Sequence, residues 1–201
     1  MRRTARSDAF VPPVQFIAPD SLDAADMRKM WDRVILEKRE QEVVEALRVL
    51  EPELNSIAFL SAASAKNRGS AGIVLGFEGM KKRVPLGSHG EGMRRLLALS
   101  LALVGAQDGL LLIDEIDTGL HYSVMAEMWH LVIENARRLN ATVVATTHSQ
   151  DCIRGLADCC AHSATEADDV ALHKIEPKLD HAVTLPGLEV PMAVSQHIEV
   201  R

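Results

Sequence analysis

The chain has 201 residues, a formal net charge of −6 at pH 7, and contents of 47% hydrophobic and 25% charged residues. This length fits one domain with a sizeable core, and the composition is ordinary for a globular protein. The acidic balance excludes a general electrostatic attraction to nucleic acid or to an anionic membrane. No apolar run approaches the ~20 residues that a membrane-spanning helix needs, so we expect no membrane partner.

Residues 1–20 are predicted to form an extended or disordered lead-in. They contain three prolines and show no hydrophobic period. The first seven residues are basic, but Pro12 and Pro13 interrupt the apolar residues after them, so the segment does not make a signal peptide.

Residues 21–86 are predicted to form a helical hairpin and then a small β element. An apolar stripe with helical spacing runs from Met27 to Ile35, after Ser21 or Asp23 as the N-cap. The remaining predicted elements of this region are a helix at about 40–50, strands at 56–60 and 71–77, a turn at 65–70, and a strand at 83–86 that completes a meander.

Residues 87–201 are predicted to form an α/β unit. A strand, a helix and a strand in this order predict a parallel βαβ arrangement. The predicted elements are an apolar helix after Gly92, a strand at 110–113, a helix at about 123–139, a strand that begins at Thr142 and ends in His148, a helix after His148 to about Cys160, and a closing hairpin of 169–175 with 181–185.

The cysteines and the basic residues of the chain do not indicate a particular binding site. The cysteines are odd in number and confined to one short segment, so they do not indicate a disulfide framework, and we expect a cytoplasmic protein. A metal site that uses them with His162 would need a C-x-x-C pair, which is absent. Short basic clusters at 81–83, 94–95 and 137–138 are expected to be solvated.

The most informative segment is the apolar run 110–113, which ends in Asp114 and Glu115. Such a short run predicts a strand buried on both faces. Ligands of open α/β sheets collect at the carboxyl ends of the strands, where these two carboxylates lie. If this segment is considered alone, the alternative to a ligand site is a core strand that runs into an acidic turn.

Two neighbouring segments favour a nucleotide site at this position. Residues 87–92 contain three glycines and a serine at the start of a buried helix, which is a typical anion-binding arrangement. Downstream, a β-branched strand ends in His148, and Ser149 can cap the next helix. A lone histidine after a strand is more often structural, but here it follows the acidic strand by one helix and should lie near Glu115.

This order of motifs resembles the C-terminal half of an ABC-type ATPase of the AAA family. More narrowly, it is similar to ATP-binding proteins related to the overcoming-lysogenization-defect (OLD) nucleases, RecF and the structural-maintenance-of-chromosomes (SMC) proteins. The similarity covers roughly residues 84–153, about a third of the chain. The run from Asp117 to His121 is typical of the OLD-like branch. The signature departs from the family pattern at His89 and lacks a leucine directly before Ser88.

The resemblance implies a P-loop NTPase-like partial parallel sheet with flanking helices. It also implies ATP and Mg²⁺ as cofactors and a role for each motif. In this interpretation Asp114 is the Walker B aspartate that holds Mg²⁺, Glu115 the catalytic glutamate and His148 the switch histidine. The implied nucleotide-binding residues are Ser88, Gly90, Glu91 and Gly92 of the signature loop and Gly119, Leu120 and His121 of the D-loop.

The resemblance further implies a homodimer that closes on ATP, in which the signature loop contacts the γ-phosphate held by the second subunit. A nuclease or DNA is a further partner of such ATPases. We find no acidic cluster after residue 165 arranged as a Toprim nuclease centre. A nuclease would therefore have to be another chain.

The Walker A pattern G-x-x-x-x-G-K followed by S or T does not occur in the sequence. This leaves two functions open. The chain is the hydrolytic half of an ATPase that a Walker A half completes, or it is a truncated, inactive remnant that serves as a binding or regulatory module. In either case we expect no ATP hydrolysis by the chain alone.

Overall fold

The computed structural model describes residues 11–19, 24–60, 72–176 and 178–196. The turn expected at 65–70 and the expected caps Ser21 and Asp23 lie outside the described residues. The elements in chain order are β1 (Val14–Ile17), α1 (Ala24–Leu36), α2 (Glu40–Arg48), β2 (Leu54–Phe59), β3 (Ile73–Phe77), β4 (Val84–Pro85), α3 (Gly90–Gly105), β5 (Leu110–Ile113), α4 (Met125–Arg138), β6 (Thr142–Ala145), α5 (Gln150–His162), α6 (Ala164–Asp168), β7 (Ala171–Lys174), β8 (Val183–Pro186) and α7 (Val190–Ser195).

The centre of the fold is a parallel sheet in the order β1-β5-β6. Ile17 of β1 pairs with Ile113 of β5, and Ile113 pairs with Ala145 of β6. The strand, helix and strand β5-α4-β6 form the parallel unit that the sequence predicts. The α/β class, with a partial parallel sheet and flanking helices, is confirmed.

The position of β1 corrects the expectation of a lead-in, which is wrong for Val14–Ile17. These residues form an edge strand of the described sheet, since Leu110 N donates to Pro13 O and Asp114 N donates to Ile17 O, both at 2.9 Å. A Cβ atom at Gly109 would collide with Pro13 O, so glycine is needed for this close approach. Pairing between residues 96 positions apart leaves no local period, which is why the sequence pattern did not reveal the strand.

The two faces of the parallel sheet differ in burial. On one face Leu111 and Ile113 are 0% and 2% exposed, under the helices of the core. On the other face Val14, Phe16 and Val144 are 59%, 64% and 54% exposed. Because residues paired in register share a face, these three side chains and those of β5 between them form one apolar surface. Parallel sheets are usually covered on both faces.

The N-terminal helices and the small sheet agree with the sequence pattern. Met27, Trp31 and Val34 of α1 are buried, and Trp31 stacks on Phe59 of β2 with ring centroids 5.0 Å apart. Ile35, at the margin of the predicted stripe, is exposed. Strands β2, β3 and β4 form the expected antiparallel meander. The helical hairpin and the meander are confirmed, and the boundary between residues 86 and 87 stays a prediction.

The C-terminal region packs on the core through α5. A Cβ atom at Gly155 would lie 2.6 Å from Met125 Cβ, so glycine allows α5 to approach α4 closely. Strands β7 and β8 form the predicted closing hairpin. The short helices α6 and α7 were not predicted, because five or six residues show no clear helical period. Each helix in the described ranges is too short or too polar to span a bilayer.

Candidate functional site

Asp114 and Glu115 lie where the sequence places them, at the carboxyl end of the central strand β5. The Asp114 side chain is exposed, and that of Glu115 is half-buried. Glu115 adopts a left-handed backbone conformation with φ of 48°. This conformation is costly for a residue with a Cβ atom, and in folded proteins such strain concentrates at functional sites.

Thr146, directly after β6, connects the two acidic residues. Its hydroxyl donates to Asp114 Oδ1 at 2.6 Å and accepts a hydrogen bond from Glu115 N at 3.0 Å. Ile116 N donates to Thr146 O at 3.0 Å. Asp114 Oδ2 accepts no hydrogen bond from the described residues, so it can face a ligand.

The backbone and the carboxylate of Glu115 are held by two further side chains. The Thr118 hydroxyl donates to Glu115 Oε2 at 3.1 Å, and Thr118 N donates to Glu115 O at 3.0 Å. Arg95 Nη2 from α3 donates to the same carbonyl oxygen at 3.1 Å. Glu115 Oε1 has no partner among the described residues and is available to accept a proton.

A second threonine fixes the turn that follows Glu115. The Thr147 hydroxyl donates to Asp117 Oδ1 at 2.5 Å, and Ser149 N donates to the Thr147 hydroxyl oxygen at 3.0 Å. Ser149 caps α5, because its side chain accepts from Cys152 N at 3.2 Å. The predicted cap is confirmed, and the ends of β5 and β6 form one hydrogen-bonded network.

Burial affects two ionisable groups beside this network. The expectation that the basic cluster 94–95 is solvated is wrong for Arg95, which is 5% exposed. Burial lowers the pKa of Arg95, and the negative charge of Asp117 opposes this shift. Burial raises the pKa of Cys152 to about 11, so its thiol is neutral near pH 7. The described part of the chain contains no group of three or more potential metal ligands among His, Cys, Asp and Glu.

The predicted signature loop is exposed at the start of α3. A 3₁₀ turn, Leu86–His89, leads into α3, which begins at Gly90, three residues earlier than expected. Gly90 has φ of 83°, a conformation that favours glycine. Ser88 and Glu91 are exposed; the Ser88 hydroxyl donates to Pro85 O at 2.6 Å.

The predicted D-loop lies against the signature loop. Gly119 has φ of 79°, and an ideal Cβ atom on Gly92 would lie 3.7 Å from Leu120 Cδ2. His121 is exposed and accepts a hydrogen bond from Ser123 N at 3.4 Å. The structure thus brings together Gly92 and Leu120.

His148 follows the network without joining it. Its side chain is exposed and makes no hydrogen bond or ion pair with the described residues. The neighbouring residues Thr146 and Thr147 bind Asp114 and Asp117, so His148 lies after the strand end that borders the acidic residues.

Four side chains of the network were missed by the sequence analysis. Their signals were weak: an arginine within an otherwise apolar helix, a pair of threonines directly after a strand, and a threonine three residues after an acid. The missed residues are Arg95, Thr118, Thr146 and Thr147.

The chemistry of the donor set fits one side of a magnesium–nucleotide site. Mg²⁺ bound to a nucleotide commonly takes one or two carboxylates and completes its shell with water and phosphate oxygens. Asp114 offers such a carboxylate with one free oxygen. The main phosphate cradle of a P-loop ATPase is a run of backbone amides with a lysine, and its sequence pattern is absent from the chain.

Part of the chain is similar in sequence to a curated protein. A curated relative, "ATP/GTP phosphatase" of Helicobacter pylori (strain ATCC 700392 / 26695), is 34% identical over 77 residues, which is 37% of this chain and 21% of the relative. The matched segment thus spans about a fifth of the relative's length.

Two solved structures are similar at low identity. One, described as "Structural biochemistry of ATP-driven dimerization and DNA stimulated activation of SMC ATPases", has a TM-score of 0.48 and 17% identity and covers 87% of this chain and 95% of its own. The other, "Crystal structure of the SmcHead bound to the C-winged helix domain of ScpA", has a TM-score of 0.49 and 14% identity. The match covers 85% of this chain and 55% of the other.

The family comparison covers more of the chain. Residues 9–151 match the family described as "AAA domain, putative AbiEii toxin, Type IV TA system". This match extends over more than two thirds of the sequence and includes Asp114, Glu115 and His148. The chain therefore belongs to this family of AAA ATPase domains.

Proposed function

We propose that this AAA domain supplies the hydrolytic half of an ABC-type ATP site. The observation that carries the proposal is the pair Asp114 and Glu115 at the carboxyl end of β5, fixed by Thr146 and Thr118 with one oxygen of each carboxylate free. Two carboxylates held apart in this way can perform two different tasks at one phosphate group.

Each motif has a role in this proposal. Mg²⁺ would polarise the phosphate and neutralise its developing charge. Asp114 would bind that ion through its free oxygen, directly or through water, as a Walker B aspartate does. Glu115 Oε1 would orient the attacking water and accept its proton, while Thr118 holds the other carboxylate oxygen. His148 would contact the γ-phosphate from its exposed position after β6.

The exposed loops support action as a dimer. Leu120 of the D-loop lies against Gly92 of the signature loop, so the two loops share one surface. We propose that this surface faces the nucleotide of a second ATPase subunit and that ATP closes the dimer. The residues of that surface are Ser88, Gly90, Glu91, Gly92, Gly119, Leu120 and His121.

The parallel sheet supports a Walker A half as the other partner, whether in the same polypeptide or in another. Beyond β6 the described sheet has an open edge, and Val14, Phe16 and Val144 leave an apolar face uncovered. A strand added parallel to β6 would end at the same edge of the sheet as Asp114. The loop after that strand could then present backbone amides to the phosphates beside the acidic pair.

The cysteines support a reducing location for this domain. Cys152, Cys159 and Cys160 are buried as thiols rather than as disulfides, which suits a reducing compartment such as the cytoplasm.

The proposal is tested by Glu115→Gln in the complete ATPase, meaning this domain together with its Walker A half. We expect turnover to fall by ~10²–10⁴-fold, since positioned acid–base help contributes about this much, while ATP still binds. Glu134→Gln is the matched control, because this half-exposed carboxylate lies along α4 and its ion-pair partner among the described residues is Arg137. Full turnover in Glu115→Gln would contradict the proposed role.

A second candidate function is a catalytically inactive binding or regulatory module. The absence of a Walker A pattern from the sequence favours it. The two candidates differ in one result: a remnant gains no Glu115-dependent turnover from any Walker A partner, whereas the proposed half-site does.

A further inference from the structure

Arg95 is deeply buried, yet one of its side-chain nitrogens lacks a hydrogen-bond partner among the described residues. It lies on α3 among apolar side chains and is 5% exposed. Its Nη2 donates to Glu115 O at 3.1 Å, but its buried Nε has no hydrogen-bond partner in the described part of the chain. Most buried polar atoms are paired, so this unpaired donor needs an explanation.

Stability does not explain the position of Arg95. Taking a charge out of water is costly, and the nearby charge of Asp117 compensates for only part of this cost, as the lowered pKa of Arg95 shows. An apolar side chain of similar volume would avoid the cost altogether, and such replacements in protein cores are often neutral or stabilising. The arginine must therefore provide something other than packing.

The contact of Arg95 has a specific target. The Glu115 carbonyl belongs to the residue with the left-handed backbone, and Thr118 N is its other described donor. Two donors on one carbonyl fix the orientation of that peptide group. The direction of the Glu115 side chain depends on this peptide group, since φ and ψ place the Cβ atom.

We infer that Arg95 is a positioning residue, which holds the Glu115 backbone in its left-handed conformation and so directs the free carboxylate oxygen toward the attacking water. This inference rests on the proposed role of Glu115. Arg95 lies three residues after Gly92, about one helical turn from the signature loop. A movement of that loop would therefore reach Glu115 through the Arg95 guanidinium.

Two substitutions of Arg95 and one control test this inference in the complete ATPase. Arg95→Met keeps much of the volume without a donor, and Arg95→Lys keeps a charged donor. Arg137→Met is the control, since this partly exposed arginine lies at the last turn of α4, away from the carboxyl ends of the strands. The readouts are kcat and KM for ATP, and hydrogen exchange at the amides of Ile116 and Thr118.

For Arg95→Met we expect kcat to fall by roughly 10–100-fold with KM within about twofold, because small misplacements of catalytic groups cost rates of this order. Amide exchange at Ile116 and Thr118 should be at least about tenfold faster, with the β5 amides still protected. Arg95→Lys should recover part of kcat, and Arg137→Met should match the parent.

Two results would overturn the inference. One is Arg95→Met with parental kcat and parental exchange at Ile116 and Thr118. The other is a loss of kcat with uniformly faster exchange throughout the core, which would show a purely structural arginine. Failure of the proposed function looks different. In that case Glu115→Gln keeps full turnover. The exchange rates at Ile116 and Thr118 alone then decide whether Arg95 fixes the backbone around Glu115.

Discussion

The left-handed backbone of Glu115 makes a prediction about stability that does not depend on activity. With φ of 48°, the residue occupies a region that glycine enters freely and other residues do not. We expect Glu115→Gly to be more stable than Glu115→Ala. Both substitutions remove the carboxylate and its bond to Thr118, so the comparison isolates the effect of the Cβ atom on the backbone.

The size of the difference is set by two opposing contributions. The left-handed conformation costs a residue with a Cβ atom about 1–2 kcal/mol. Glycine loses about 0.4–1 kcal/mol relative to alanine, because its unfolded chain has more freedom. The net advantage of Glu115→Gly is roughly 0.5–1 kcal/mol, which corresponds to a difference in Tm of about 1–4 °C for a domain of this size.

Urea unfolding followed by circular dichroism measures this difference, with all variants at one protein concentration because association changes apparent stability. The matched pair Glu134→Gly and Glu134→Ala, inside α4, should show the opposite order, with glycine about 1 kcal/mol less stable. If Glu115→Ala were as stable as Glu115→Gly at equal m-values, the backbone of Glu115 would not be strained and the reasoning would fail.

Three further predictions concern other parts of the molecule. Asp114→Asn should weaken Mg²⁺-dependent ATP binding to the complete ATPase in calorimetric titrations, and an unchanged affinity for Mg·ATP would count against the metal role. Ser88→Arg should prevent ATP-driven dimerisation more than nucleotide binding to the monomer; the same ATP-dependent dimer in sedimentation would show that the loop does not act in trans. Gly109→Ala should lower the free energy of unfolding by about 1–3 kcal/mol because its Cβ atom meets Pro13 O, whereas Gly87→Ala, which meets open space, should change it little; equal midpoints in urea would contradict the close approach.

Local patterns predicted most of the fold. The stripe with Met27, Trp31 and Val34 has the period of a helix with one buried face, and the run 110–113 has the length of a buried strand. Turn residues such as Gly109 marked the ends of the elements. These features are contained within a few residues, so the sequence alone was sufficient to predict them.

The parts that were missed depend on contacts between distant residues. Strand β1 is fixed by its pairing with β5 and by the close approach of Pro13 to Gly109. Neither contact can be inferred from residues 14–17 alone. Arg95 was assigned to a solvated basic cluster because it follows Arg94, which is a partly exposed surface residue. Thr146 gains its role only because β6 lies beside β5 and brings its hydroxyl to Asp114.

The candidate site likewise has local features that the sequence predicted and tertiary features that it did not. Asp114 and Glu115 were predictable, since carboxylates at the end of a buried strand are a local feature. The strain of Glu115 and the donors that hold it are tertiary features, and no spacing of residues predicts them.

The most direct test of the account is to measure ATP hydrolysis and association for this chain alone and together with a Walker A half, as a fusion or in trans. We predict negligible hydrolysis by the chain alone, because the sequence lacks the Walker A pattern. We also predict poor solubility or self-association, because the described residues leave the edge of β6 and the apolar face with Phe16 and Val144 uncovered. Addition of the Walker A half should restore solubility and a turnover that Glu115→Gln abolishes. A monomeric, stable chain that hydrolyses ATP by itself would contradict the account, since it would require a phosphate cradle within these 201 residues.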